Sequence, residues 1–257
     1  MKEESSFRIK DRLHASSIHM GASLIIGSLA AWLVFALWYP YPYREISGGK
    51  ELFIIIISVD VILGPLITFT VFNRHKQQRE LLRDLSIVVA IQIAALFYGM
   101  WIVCAARPVH LVFELDRFRV VHAIEVQEEL LPQVSDQLKV MPLTGPTLMA
   151  VRPFRDANEQ VNATMLALQG VHLSARPDLW QDYREARGRV LTSAQLAADL
   201  KQRFPEQVEM IDQAILRTGK SEGALLYLPL ISRDIAWTVL LDISTAEILG
   251  FIRLDSF

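Results

Sequence analysis

Leu52 to Phe72 reads LFIIIISVDVILGPLITFTVF, 21 residues with a single charge, Asp60. At about 1.5 Å of rise per residue, such a run crosses the roughly 30 Å hydrocarbon core of a bilayer as one helix. Two features mark it out. Asp60 lies roughly 12 Å deep by the helical rise, where a bare carboxylate costs about 2.5–3.5 kcal/mol. Gly64-Pro65 follows one turn later. Pro65 lacks an N–H and crowds the carbonyl of Val61, which predicts a kink. Gly64 removes the side chain beside that kink and lets another helix approach closely.

Two further apolar runs flank this one. Met20 to Trp38 is uncharged and long enough to span, and its length favours a retained anchor over a cleaved signal peptide. Ser23, Gly27 and Ala31 recur every fourth residue, a small-residue stripe suited to helix packing. Leu85 to Ala105 is a third uncharged run, with Gln92 inside it. Asp60 and Gln92 fall at depths that helix tilt can match. Asp60 is thus either a hydrogen-bonding glue within the bundle or a recognition point for a partner. Trp38-Tyr39-Pro40-Tyr41-Pro42-Tyr43 ends the first span with aromatics expected at the headgroup level.

Orientation follows from the basic residues. Lys2, Arg8, Lys10 and Arg12 precede the first span, and Arg74, Lys76, Arg79 and Arg83 follow the second. Only Arg44 and Lys50 occupy the loop between. The positive-inside rule then puts the amino terminus and the 73–84 loop in the cytoplasm and everything after Arg107 outside, in the periplasm of a bacterium. Hydrophobic residues make up 52% of the 257-residue chain, as expected for a membrane protein with a large polar portion. That polar portion, residues 106–257, carries 16 Lys/Arg against 20 Asp/Glu, no footprint for nucleic acid. The single cysteine, Cys104, excludes a disulfide within the chain.

The outer region alternates like a strand from Val109, turns at Asp116-Arg117, and passes through a proline-punctuated, irregular middle. Helices are predicted over Ala157–Leu168, after a Thr192-Ser193 cap, and across Val208, Ile211 and Ile215. The end returns to strands in ALLYLPLI, IAWTVLLDI and EILGFIRL, with a hairpin loop from Asp242. Strands, helices and strands again fit an α+β domain with a mainly antiparallel sheet.

Chemical motifs are weak. Gly219-Lys220-Ser221 lacks the upstream glycine of a phosphate loop, because Ala214 stands there within a helical pattern. His110, His122 and His172 have no metal-ligand spacing. Asn162-Ala163-Thr164 matches a glycosylation sequon too short to carry weight. The expectation is a protein with no catalytic residues, no cofactor and no metal.

The run WYPYPY…GG…VDVILGPLITFTVF, with Tyr98-Gly99 and Ala106-Arg107-Pro108-Val109, resembles the type IV pilin accessory proteins of the TfpX/TfpZ group. The resemblance continues through Phe113-Glu114-Leu115-Asp116-Arg117-Phe118, Arg176-Pro177-Asp178-Leu179-Trp180, Tyr227-Leu228-Pro229-Leu230, Trp237…Leu241-Asp242 and Leu254-Asp255-Ser256-Phe257. In the last hairpin the family pattern has Thr-Gly where this chain has Thr245-Ala246. The resemblance implies an inner-membrane factor that promotes the stability or assembly of a major type IV pilin, with membrane lipid as its other partner. It supplies no enzymatic residues. The expected organisation is a membrane anchor over 1–108, with three transmembrane helices at about 20–38, 52–72 and 85–105, and a periplasmic α+β domain over 109–257. Asp60, Gly64, Pro65, Gln92 and Arg107 are the candidate partner-binding or helix-packing residues. The alternative is a membrane-anchored periplasmic sensor of a small ligand that signals through a partner, which the short cytoplasmic segments disfavour.

Overall fold

A computed structural model describes residues 2–72, 77–134, 138, 141–233 and 235–257, with side chains from Ile9 onward. Arg74 and Lys76, used above for orientation, lie outside the described residues, as do the side chains of Lys2 and Arg8. The chain divides into two units: residues 1–44 with 48–106, and residues 45–47 with 107–257.

The first unit is helical. Helix α1 (Lys2–Trp32) runs on into a π-helical segment, Leu33–Trp38. A single turn, α2 (Tyr43–Ile46), precedes a middle helix made of α3 (Gly49–Ser58), a π-helical segment (Val59–Leu63) and α4 (Gly64–Val71). Helix α5 (Gln78–Ala105) completes the unit. Ile9–Trp38, Gly49–Val71 and Gln78–Ala105 are each long and apolar enough to cross a membrane. Large apolar side chains such as Ile25, Ile55 and Phe97 face outward, as expected of helices meant for lipid rather than water. Ser28, Ser58 and Thr70 return their hydroxyls to the carbonyls of Leu24, Ile54 and Leu66 one turn back, so these polar groups are satisfied within their own helix.

The kink expected at Pro65 takes a specific form. Pro65 donates no hydrogen bond and displaces the carbonyl one turn earlier, and the ladder before it widens into the π segment. The small-residue stripe also finds its partner. Gly27 faces Ile57 of the middle helix, 3.3 Å from where its Cβ would sit, and Ser23 is buried.

Tyr39 packs inside the first unit. It is fully buried with Val34, Phe53 and Val103, its ring fills the space a side chain at Gly49 would need, and its hydroxyl donates to the Val103 carbonyl at 3.1 Å. That carbonyl is one of the last four of α5, which have no partner inside the helix, and the phenol supplies one. Tyr41 is exposed.

The second unit contains an eight-stranded sheet: β1 (Pro108–Glu114), β2 (Arg117–His122), β3 (Thr147–Val151), β4 (Trp180–Asp182), β5 (Gln195–Leu196), β6 (Leu225–Ser232), β7 (Ile235–Asp242) and β8 (Ile248–Ile252). The order is β4-β3-β1-β2-β6-β7-β8, with β5 also on β6. Five pairings are antiparallel; β1–β3 and β2–β6 are parallel. Helices α6 (Ala157–Leu168), α7 (Tyr183–Ser193), α8 (Ala197–Arg203) and α9 (Val208–Thr218) join the later strands. One core gathers Val112, Val121, Met149, Val151 and Trp180; another gathers Leu200, Ile211, Ile215, Tyr227 and Leu240. Residues 45–47 belong to this unit through Ser47, hydrogen-bonded to Ser232 at 3.2 Å, and through Glu45, paired with Arg253.

Three expectations need correction. The first hairpin turns at Leu115-Asp116, one residue early, because Leu115 takes the positive φ of 56° that the two-residue turn requires. The irregular middle holds a strand, β3, and a second unexpected strand, β4, follows α6; both join the sheet through partners far along the chain. Thr192-Ser193 closes α7 rather than capping a following helix. Asp182 supplies the cap of α7 at its start, its carboxylate accepting from the Arg184 N–H at 2.8 Å.

Candidate functional site

Four of the five candidate residues meet inside the first unit. The π segment turns Asp60 into the bundle, where it is 8% exposed. One turn on, Gly64 is buried against Gln92 of α5; a Cβ there would overlap the amide nitrogen and stand 2.9 Å from its Cδ. The helix that approaches Gly64 is therefore the third span of the same chain. Gln92 does not bond the Asp60 side chain, as an Asp–Gln glue requires. Its amide points to the Asp60 backbone carbonyl at 3.5 Å, an oxygen exposed by the π widening. The Pro65 carbonyl accepts from the Ser16 hydroxyl of α1 at 2.9 Å.

Asp60 Oδ1 is buried and has no hydrogen-bond partner among the described residues. Asp60 is one of the residues lining a cavity of about 290 Å³ walled by α1 and α5. Ile18, Ala22 and Ile26 line one wall and Val89, Ile93 and Leu96 the other. His19, Ser23 and Gln92 bring the remaining polar groups. The first and third spans each pack mainly on the middle helix, which leaves this recess between them.

His19 is the member that sequence reasoning missed. Its Nδ1 pairs with Thr68 Oγ1 at 2.5 Å, and its Nε2 lies 3.2 Å from the position of a Cβ on Gly64. A span drawn from Met20 left it just outside, whereas the spanning helix begins at Ile9. The signal was available: Ser16, His19 and Ser23 fall on one face at helical spacing.

Arg107 is not part of this group. It is a buried residue of the second unit, and its Nε donates to the Pro142 carbonyl at 3.2 Å. The other motifs resolve into structure. Gly219 ends α9 with φ 70°, and Lys220 pairs with Asp242 at 3.0 Å. His110 is fully buried, bonded to Thr147 Oγ1 at 2.7 Å, with its ring 4.6 Å from that of Trp180. His122 is bonded to Glu125 at 3.1 Å. His172 precedes a single 3-10 turn, and Asn162 is exposed on α6. Ala246, at the position where the family pattern has glycine, takes φ 58°.

The site is thus a cluster of buried polar groups beside an apolar recess. A model of the family described as "Fimbrial assembly protein FimB" matches residues 7–48, the segment that contains His19 and Ser23. The chain is 34% identical over 244 residues to a fimbrial assembly protein of serogroup I from Dichelobacter nodosus, covering 94% of this chain and 95% of that one. It belongs to the fimbrial assembly protein family. A serogroup E1 protein of the same organism is 33% identical over the same coverage. One of serogroups C1 and C2 is 42% identical over 118 residues, 46% of this chain and 90% of that protein. No solved structure matches. The match to the serogroup I protein runs through both units.

Proposed function

We propose that this chain is a pilin-specific assembly factor of the bacterial inner membrane, which binds a type IV pilin and promotes its stability or its entry into the fimbria. The observation that carries this reading is the similarity to fimbrial assembly proteins along 94% of the chain. It acts by binding rather than by catalysis: the buried histidines of the sheet domain are tied to core neighbours, and Asp60 lies beside an apolar recess. The amino terminus lies in the cytoplasm and the sheet domain in the periplasm. A pilin offers a spanning helix and a periplasmic head, and this chain has a unit to meet each.

The test is affinity capture of the tagged full-length chain from membranes that contain the cognate pilin. Recovery of the pilin, with reduced pilin level and piliation when the chain is deleted, is the expected result. Normal pilin level and piliation without it would overturn the reading.

A further inference from the structure

We propose that the sheet domain rests on the bilayer surface through Ile124 and Ile235, two exposed side chains held beside the points where the chain enters and leaves the membrane. This rests on the helices of the first unit crossing a bilayer, not on the pilin-binding reading, and it holds on either side of the membrane.

Two hydrogen bonds carry it. The Ala123 N–H donates to the Arg107 carbonyl at 2.9 Å, and Arg107 lies two residues beyond Ala105, where the third span ends. The hydroxyls of Ser47 and Ser232 are bonded at 3.2 Å, and Ser47 lies two residues before Gly49, where the second span begins. Two residues reach at most about 7.6 Å, and the headgroup layer is about 5–8 Å thick in each leaflet. Arg107 and Ser47 therefore sit within that layer or at its outer margin, whatever the angle between the two units.

What each tie presents is apolar. Ile124 follows Ala123 in a 3-10 turn, Ala123–Glu125, and is 72% exposed. Ile235 is the strand partner of Ser232 and is 43% exposed. Arg233, exposed in the turn between them, has an apolar stem and a guanidinium suited to a lipid phosphate. At the boundary between headgroups and acyl chains an isoleucine leaves water without leaving the domain. A soluble partner would have to displace headgroups to reach either side chain. Two contacts, unlike one, fix the attitude of the domain as well as its height. Ile243 supplies a matched control: it is 42% exposed just past the far end of β7, about 26 Å from Ile235 by the strand rise.

The test reconstitutes the full-length chain, with Cys104→Ser, in phosphatidylcholine vesicles in which part of the lipid carries a nitroxide near the headgroup. Ile124→Cys, Ile235→Cys and Ile243→Cys, one at a time, carry an environment-sensitive fluorophore. Nitroxide quenching should be several-fold stronger at the first two positions than at the third, and quenching by aqueous iodide should follow the reverse order. Equal nitroxide quenching at all three, or none at the first two in a chain that floats with the vesicles, would overturn the contact and leave the spans in place. A chain that does not float with them would overturn the membrane reading itself. If a labelled variant does not accumulate, a photo-crosslinking residue in place of Ile124 or Ile235 decides in native membranes. It should mark phospholipid; marking of another protein instead would overturn the inference.

Discussion

The Gln92 amide occupies the space that any side chain at Gly64 would claim. The middle helix can therefore pack against α5 only because residue 64 has no Cβ, and the same gap admits His19 from α1. Gly64→Leu should destabilise the bundle by about 1–3 kcal/mol, the usual cost of overpacking, and lower the membrane level of the protein. Gly64→Ala should do less, and Gln92→Ala should restore much of what Gly64→Ala loses, since the pair is in direct contact. Thermal unfolding in detergent checks both. Additive losses in the double variant would show that the contact does not limit packing.

Trp237 is 5% exposed, with the Arg253 guanidinium 5.3 Å from its ring centroid. Trp237→Ala should cost about 3–5 kcal/mol through the cavity it leaves. Leu216, 81% exposed on α9, should tolerate alanine within about 0.5 kcal/mol. Denaturant unfolding of the solubilised protein measures both. A neutral Trp237→Ala would place that ring on a working surface instead of in the core.

The spans, the last three strands and α6 were legible in the sequence, because long apolar runs and period-2 alternation are local signals. β3 and β4 were not. Met149 and Ala150 are paired by β1 on one side and β4 on the other, and none of those partners lies near them in sequence. Helix α7 was missed because YREARGRVLTS buries only Tyr183, Ala186 and Val190 beneath a charged surface. In the site, Asp60, Gly64 and Gln92 were readable as a group from cost, gap and depth. Their actual bond, Gln92 to a backbone oxygen, was not, since it depends on a π widening that Pro65 permits but does not dictate.

Topology follows from the basic flanks. A reporter that works only after export, fused behind Phe257, should be active, and the same reporter placed in the loop after Phe72 should be silent. Moving lysines into the loop between the first two spans should reduce the first signal, because short-loop lysine and arginine set orientation. A silent fusion at Phe257 would reverse the proposed placement of the sheet domain.

His110 gives the sheet domain an acid limit. Burial without a second hydrogen-bond partner pushes its pKa down to about 4, while an unfolded histidine titrates near 6.5. Between those values the unfolded chain binds a proton that the folded chain refuses. Stability should therefore fall as pH drops from about 6.5 to about 4, by roughly 3 kcal/mol in total, and stop falling from this source below that. The carboxylates act in a separate window. Glu159, held at about 2 by the Arg152 guanidinium, loses its contribution only as pH falls below the ordinary carboxylate range. His110→Gln keeps a polar group beside Thr147 and removes the titration. It should flatten the stability profile between pH 6.5 and 4.5 and leave the steeper loss at lower pH in place. Tryptophan fluorescence reads the transition directly, since Trp180 lies against the imidazole. An unchanged slope in His110→Gln would assign the acid sensitivity to another group.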